Sequence, residues 1–352
     1  MLISITSSGT TTAASSDPAV SAQDLNRVVI ERRRHVMGTW LRIRVQGSAR
    51  DLAVRASEDA LDAIADADGR LSTWRPDSEL AEVNANAARR PVKISEALQH
   101  DLTEAMRWHR ETSSAFSPGL GALVSVWDLR GRGRVPSRTE LAVARWNTVL
   151  EGSAIDGEVV RFDRPGLRID EGGFGKGAAL NDGLRAALEA GATCVTMDFG
   201  GQVAQRGSCG PLVVGISNPD DRSEEIATVS VGSGGVATSG QTERFMVVDR
   251  IRYGHILDPR SGSPAPDWGS VTVVTSDPLS ADCIATALYV MGPDHGARWV
   301  GERTDVEAVF AIRTESGPLL RATSGLRGRL TSSAGIDLEW VPPIDTRSQG
   351  PP

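Results

Sequence analysis

An aspartate and a threonine one helical turn apart, Asp282 and Thr286, stand in the stretch Ser280-Ala281-Asp282-Cys283-Ile284-Ala285-Thr286. Side chains spaced i, i+4 project from the same helix face. A carboxylate and a hydroxyl are hard oxygen donors of the kind magnesium takes. Magnesium sites often use one or two such protein groups and leave the rest to phosphate oxygens and water. The same spacing is common on solvated helix faces, so the pair gains meaning only from its company in the chain. Asp277 or Ser276 suits the cap of this helix, Pro278 its first turn and Gly292-Pro293 its end.

Other segments carry chemistry of their own. Asp170-Glu171-Gly172-Gly173-Phe174-Gly175-Lys176-Gly177 puts glycines and a cation at the start of a helix, where backbone approaches a phosphate closely. Gly177 stands where a Walker loop needs Ser or Thr, and the dinucleotide fingerprint spacing is absent. Phosphate binding and a tight strand-to-helix turn are therefore both open. Val236-Ala237-Thr238-Ser239-Gly240, followed by Glu243-Arg244, offers hydroxyls beside a glycine for a polar ligand, or a plain β-turn. In His255-Ile256-Leu257-Asp258-Pro259-Arg260-Ser261-Gly262 a histidine, able to move protons near neutral pH, precedes a turn set by Asp258-Pro259. Trp74, in the polar run Ser72-Thr73-Trp74-Arg75-Pro76-Asp77, can stack on a flat heterocycle or lid a core. Phe116-Ser117-Pro118-Gly119, with Trp127 further on, reads mainly as packing.

The elements that must hold these residues follow from periodicity. Alternation over 41–45 predicts a strand, and Leu52, Ala56, Ala60, Ile64, Ala67 and Leu71 lie at helical spacing over 51–71. Helices are expected near 79–84, over 96–111 and over 175–191, and a loop over the Arg- and Gly-rich 130–136. Val159–Phe162 and Leu167–Ile169 suggest a hairpin around Pro165-Gly166. Short strands separated by glycines are expected over 194–248, a strand over 270–275, a second helix over 294–302, and closing strands over 306–312 and 319–322. Strands mixed with long helices, without regular alternation, predict an α+β fold.

Bulk properties narrow the class. The chain has 352 residues, 40% hydrophobic and 24% charged, with a net charge of -7, ordinary for a globular protein and contrary to a nucleic-acid surface. No apolar run is long enough to span a bilayer. Residues 1–28, rich in Ser, Thr and Ala, read as a disordered segment, 29–340 as one domain and 341–352 as a tail. Cys194, Cys209 and Cys283 form no metal or redox spacing and read as buried thiols of a reducing compartment. With no signal-peptide pattern and no cysteine ahead of Cys194, a cytoplasmic location is expected, or export if translation starts elsewhere.

Taken in order, the motifs resemble those of one family, the flavin transferases (FAD:protein FMN transferases, formerly grouped as thiamine biosynthesis lipoproteins). The resemblance starts at His35-Val36-Met37-Gly38-Thr39. It runs through Ser72 to Glu79, Phe116-Ser117-Pro118, Gly172 to Gly177, Phe199-Gly200-Gly201, Ala237 to Gly240, His255 to Gly262 and Ala281-Asp282 to Thr286, roughly residues 35–325. It implies a T-fold-like core of mixed or antiparallel sheet with packed helices. It further implies that FAD is split, that FMN passes to a Ser or Thr hydroxyl of an acceptor flavoprotein, and that AMP leaves, with magnesium required.

By that resemblance Asp282, Thr286 and the Gly173 carbonyl hold magnesium, and Lys176 offsets phosphate charge. His255 deprotonates or orients the hydroxyl, positioned by Asp258. Trp74 covers the flavin, and Met37, Glu79, Thr238, Ser239 and Gly240, with Lys176 and His255, line the FAD site. The chain departs from the family pattern at Asn181, where an aspartate is frequent and Asp182 is the expected substitute, and at Gln202, where Asp or Asn is favoured. Many members are exported lipoproteins, whereas no signal or anchor cysteine is visible ahead of Cys194, which is why a cytoplasmic form is expected. An FAD pyrophosphatase giving FMN and AMP would use the same metal site, and a non-catalytic flavin-binding protein, needing neither metal nor base, is a further alternative.

Overall fold

The computed structural model describes residues 28–241 and 245–342. The Glu243-Arg244 pair, the expected disordered segment up to residue 27 and the tail from residue 343 lie outside the described residues. In chain order the elements are β1 (Val28–Val36), β2 (Thr39–Gly47), α1 (Arg50–Leu71), α2 (Glu79–Asn86), β3 (Val92–Lys93) and α3 (Glu96–Glu111). Then come α4 (Gly121–Val126), α5 (Arg138–Trp146), β4 (Val159–Val160), α6 (Gly175–Glu189), β5 (Cys194–Phe199) and β6 (Gln202–Gly207). β7 (Leu212–Ser217), β8 (Glu225–Val231), β9 (Gly234–Gly240), β10 (Phe245–Val248), β11 (Ile251–Gly254) and β12 (Gly269–Thr275) follow. The last are α7 (Pro278–Gly301), β13 (Val306–Thr314), β14 (Gly317–Thr323), β15 (Leu330–Ser332) and β16 (Asp337–Val341).

The framework is a nine-stranded sheet in the order β1-β2-β5-β6-β9-β12-β13-β14-β16. Its neighbours pair antiparallel except β14 and β16, which run parallel. This is the mixed sheet of the expected α+β class. Strand β2 turns Leu41, Ile43 and Val45 inward, where they pack with Ala56, Ala60 and Ile64 of α1 and Leu180 and Leu184 of α6. At the other end Ile284 and Leu288 of α7 pack with Leu98 and Trp108 of α3 and with Val271, Val273 and Phe310 of the sheet. A smaller sheet, β15-β8-β7, buries Val214, Ile216 and Val229 against Val236, Val309 and Ala311 of the large one. Burial of this apolar surface, about 25 cal/mol per Å², is what fixes the helices over the sheet.

Helix α7 confirms the reading of two helical pieces. Its backbone breaks at Gly292 (φ 79, ψ 169), ahead of Pro293. Asp277 caps it, accepting the Ser280 N–H at 2.7 Å, and Pro278 sits in the first turn.

Three expectations are corrected. The hairpin around Pro165-Gly166 does not form: β4 pairs instead with β3, and the Ile169 backbone is occupied by Asn84, whose Oδ1 accepts its N–H at 2.7 Å and whose Nδ2 donates to its carbonyl at 2.9 Å. β15 and β16, absent from the sequence reading, close the two sheets. The cysteines are not all thiols. Cys194 at the start of β5 and Cys209 beyond β6 are joined by a disulfide, because the β5–β6 hairpin brings their Cα atoms to 5.1 Å. Cys283 is a buried thiol as expected, and burial pushes its pKa up. No helix among the described residues is long and apolar enough to cross a membrane.

Candidate active site

The glycine-rich loop before α6, strand β9, the turn after β11 and helix α7 converge on a cavity of about 1490 Å³. Drug-sized ligands occupy pockets of roughly 300–1,000 Å³, so this one has room for a larger ligand such as a dinucleotide.

Two glycines make the convergence possible. A Cβ on Gly177 would lie 2.5 Å from the Leu279 Cα and from the Pro278 carbonyl oxygen, backbone atoms that cannot yield, so α6 crosses the start of α7 only because residue 177 has no side chain. A Cβ on Gly254 would overlap the Gln241 side chain, 1.9 Å from its Cδ.

The first close crossing brings Asp282 to the α6 N-terminus. Its side chain is 9% exposed, its Oδ2 accepts the Gly177 N–H at 3.1 Å, and its Oδ1 lies 3.6 Å from Lys176 Nζ. Thr286, one turn on, faces the same cavity. Its Oγ1 is 3.4 Å from where a Cβ on Gly173 would stand, so the hydroxyl and the Gly173 backbone share one wall. No cluster of three or more His, Cys, Asp or Glu side chains suited to a metal occurs among the described residues. One carboxylate, one hydroxyl and a backbone carbonyl are a set that fits magnesium, which completes its octahedron with phosphate oxygens and water, and fits poorly a metal needing nitrogen or sulfur ligands.

The second crossing fixes the turn bearing His255. Gln241, 2% exposed, accepts the Ile256 N–H at 3.0 Å and donates to the carbonyls of Ile256 at 2.9 Å and Ala265 at 3.1 Å. From the far side Trp127 Nε1 donates to the Gly262 carbonyl at 2.8 Å. His255, half-buried, emerges on the cavity wall between these braces. Asp258 does not reach that wall. Its Oδ1 accepts from the Arg260 backbone and from Arg260 Nε, each at 2.9 Å, and its own N–H bonds the Ser263 carbonyl at 2.8 Å. It shapes the turn after His255 rather than touching the ring's surroundings.

Met37, Trp74, Thr238, Ser239 and Gly240 line the cavity as well. Met37 holds φ 47, beside Gly38 at φ 73, in the two-residue turn between β1 and β2. Positive φ at both positions is the turn that matches strand twist, and a methionine there is a strained position of the kind that accumulates at functional sites. Its Cε lies against the glycine-rich loop, 3.3 Å from the Cβ position of Gly175. Thr238 and Ser239 belong to β9, a central strand rather than a turn, and Thr238 Oγ1 shares a 2.9 Å hydrogen bond with Thr272 Oγ1. Trp74 is 63% exposed, a ring at the mouth and not a core lid.

Glu79 is a correction. It is absent from the wall, and its carboxylate is turned to the start of α3, accepting from the Ser95 N–H and, at 2.7 Å, from Ser95 Oγ. Asp182 is another. It pairs with Arg70 at 2.7 Å and Arg185 at 2.8 Å on the α1 side of α6, so it does not replace the aspartate expected at 181. Asn181 itself donates to Asp277 Oδ1 at 2.5 Å. A second carboxylate there would confront the first, which accounts for an amide at this place. Gln202 lies on the wall, and its Nε2 donates to the Pro278 carbonyl at 2.8 Å.

Sequence reasoning missed Gln241 and Arg130. The first directly follows the Thr238-Ser239-Gly240 motif, which was the available signal. The second lies in the expected surface loop but turns inward, donating to the Thr73 carbonyl at 3.2 Å and to Thr73 Oγ1 and Asp170. Glu171, next to Asp170, has its pKa raised, first by burial and then by the Asp170 charge. Arg33, Arg42 and Arg132 add positive charge to a wall whose chain as a whole is acidic.

The model of the ApbE family matches residues 37–310, a span that contains each of these wall residues except Arg33. The chain belongs to the ApbE family. An FAD:protein FMN transferase of Klebsiella pneumoniae (strain 342) is 32% identical to this ApbE-family chain over 283 residues, covering 76% of the chain and 80% of that protein. Among solved structures, the ApbE protein of Thermotoga maritima superposes with a TM-score of 0.78 at 28% identity, over 86% of this chain and 99% of that one. The flavinyl transferase ApbE of Pseudomonas stutzeri, in its apo form, gives 0.75 at 25% identity, over 88% and 98%. The ApbE sheet and helices are therefore shared across almost the whole of those proteins.

Proposed function

We propose that this chain is an FAD:protein FMN transferase, passing the FMN part of FAD to a Thr or Ser hydroxyl of an acceptor flavoprotein and releasing AMP. The observation that carries the reading is the meeting of Lys176, His255, Asp282 and Thr286 on one cavity wall, beside an aromatic ring at the mouth. A protein that only stored flavin would need neither a proton acceptor nor a set of hard oxygen donors.

Phosphoryl transfer is mostly positioning and charge neutralisation. Lys176 and the positive end of the α6 dipole attract the pyrophosphate of FAD. Trp74 covers the isoalloxazine ring, with Met37, Thr238, Ser239 and Gly240 along the rest of the dinucleotide. Asp282, Thr286 and the Gly173 carbonyl would hold magnesium, which would screen the pyrophosphate charge. The acceptor oxygen attacks the phosphorus on the FMN side, its proton passing to His255, and the bond from that phosphorus to the bridging oxygen breaks. AMP departs with the bridging oxygen, and the acceptor keeps FMN as a phosphoester. General-base help of this kind is worth typically 10²–10⁴-fold.

A protein acceptor suits the rim, where Trp40 at 66%, Phe245 at 52% and Val247 at 60% exposure stand with Trp74 around the opening. For localisation, the Cys194–Cys209 disulfide supports an oxidising compartment, hence export, over the cytoplasm.

The test is mass spectrometry of the protein incubated with FAD, magnesium and an acceptor flavoprotein. An acceptor mass gain of one FMN with AMP released supports transfer. Free FMN and AMP without acceptor gain would make the chain a pyrophosphatase. Intact bound FAD would make it a flavin carrier.

A further inference from the structure

The turn after α4 closes tightly on itself. The N–H groups of Gly131 and Gly133 both reach the Asp128 carbonyl, at 3.0 and 3.1 Å, and the Arg132 N–H reaches Asp128 Oδ2 at 3.0 Å. This leaves the Arg130 side chain aimed across the cavity edge. There it meets two segments that the chain separates by about a hundred residues. On one side Nη1 donates to the Thr73 carbonyl at 3.2 Å, Nη2 donates to Thr73 Oγ1, and the guanidinium carbon stands 5.0 Å from the centre of the Trp74 ring. On the other side Nη2 pairs with Asp170 and lies 3.7 Å from Glu171 Oε2.

The two segments are also tied directly. Thr73 donates its N–H to Glu171 Oε1 at 3.2 Å and its hydroxyl to Glu171 Oε2 at 2.5 Å. Asp170 and Glu171 are adjacent carboxylates, 13% and 11% exposed, whose mutual repulsion needs a counter-charge, and Arg130 supplies it. Trp74, by contrast, is 63% exposed and has little packing to fix its ring. Its orientation depends on Thr73 behind it and on the guanidinium over its face.

We propose that Arg130 is a positioning residue that locks the Trp74 ring and the Asp170–Lys176 loop into one arrangement, so that the flavin and the pyrophosphate of one FAD are held in register. The proposal rests on the reading above in which Trp74 covers the isoalloxazine ring. Arg130 acts on the flavin through Trp74, whose ring it ties to the loop, and not as a ligand of the phosphates. A lysine cannot replace it, because only a planar fork can serve Thr73, Asp170 and a ring face together.

The experiment compares Arg130→Gln, Arg130→Lys, Trp74→Leu and the double variant Trp74→Leu/Arg130→Gln in the full chain. FMN binding is followed by flavin fluorescence, ADP binding by calorimetry, and folding by thermal unfolding. Arg130→Gln is expected to weaken FMN about tenfold while ADP affinity stays within about twofold. Arg130→Lys is expected to restore little of the FMN affinity although it restores the charge. The double variant is expected to bind FMN no worse than Trp74→Leu alone, since the arginine acts through the ring. Equal losses for FMN and ADP would overturn the proposal, making Arg130 a phosphate counter-charge. So would full rescue by lysine, or additive losses in the double variant. Should Arg130→Gln not fold, the lysine variant decides between the same outcomes. An unchanged FMN affinity in Trp74→Leu would remove the ring-covering reading and this proposal with it. A weakened Trp74→Leu beside a wild-type-like Arg130→Gln would remove this proposal alone.

Discussion

Asp282 and Gly177 stand 105 residues apart in the chain, and the carboxylate of the first accepts the N–H of the second at 3.1 Å. The bond joins the helix that carries the proposed metal donors to the helix that bears Lys176, the proposed partner of the pyrophosphate. Asp282→Asn keeps the size of the side chain and an acceptor for Gly177, so the fold should survive. The barrier to magnesium-dependent turnover should rise by about 3 kcal/mol or more, a loss of roughly a hundredfold or more in rate. Steady-state transfer at varied magnesium, beside thermal unfolding, checks this. Full activity in Asp282→Ala would remove Asp282 from the site. Gly177→Ala should act differently, through the backbone clash with Leu279 and Pro278, and lose about 1–3 kcal/mol of stability along with activity.

His255 and its brace separate chemistry from binding. His255→Ala should slow FMN transfer by roughly 10²–10⁴-fold with little change in FAD affinity. Gln241→Leu leaves the Ile256 N–H and two carbonyls without their side-chain partner and should displace the same turn. Single-turnover rates and flavin titration tell the two apart. A His255 variant that lost only affinity would make the histidine a binding group.

The disulfide closes a loop of 15 residues between β5 and the segment after β6. Chain entropy alone gives about 3 kcal/mol for a loop of that length. Cys194→Ser/Cys209→Ser should therefore lower the unfolding free energy by roughly 2–4 kcal/mol, measured by urea titration. Added reductant should reproduce the loss in the native chain and leave the double variant unmoved. Intact mass under non-reducing conditions, with and without alkylation, reports whether the bond is present.

Asp101 sets a pH dependence. Arg70 reaches it at 2.8 Å, yet burial outweighs that attraction and raises the carboxyl to about 6 from 3.8. The folded chain thus holds this proton more tightly than the unfolded one. The associated stability is complete below about pH 4 and is lost as pH rises through about 6, some 3 kcal/mol over the whole window. The stability difference between the native chain and Asp101→Asn should slope across pH 4–6 and flatten above it. A difference independent of pH would show that Asp101 ionises normally.

Periodicity and motif chemistry sufficed for the elements that define themselves locally. The alternation of β2, the apolar stripe of α1, the span of α3, and the Asp277 cap with the Gly292 break of α7 are all written in short runs of residues. So were the residue types of the site, because a hard-oxygen pair, a glycine-rich helix start and a histidine before a turn each announce a chemistry. Tertiary structure alone decided which of them meet. Glu79 has the right charge, but α3 offers it a capping serine, so it turns away from the cavity. Asp182 is one residue from the expected place, and one residue on a helix is about 100° of rotation, enough to send it to Arg70. Arg130 looked like surface because its neighbours are glycines and arginines; a turn closed on Asp128 aims it inward. Cys194 and Cys209 bond because a hairpin folds them together, a partnership that depends on strand register and not on spacing.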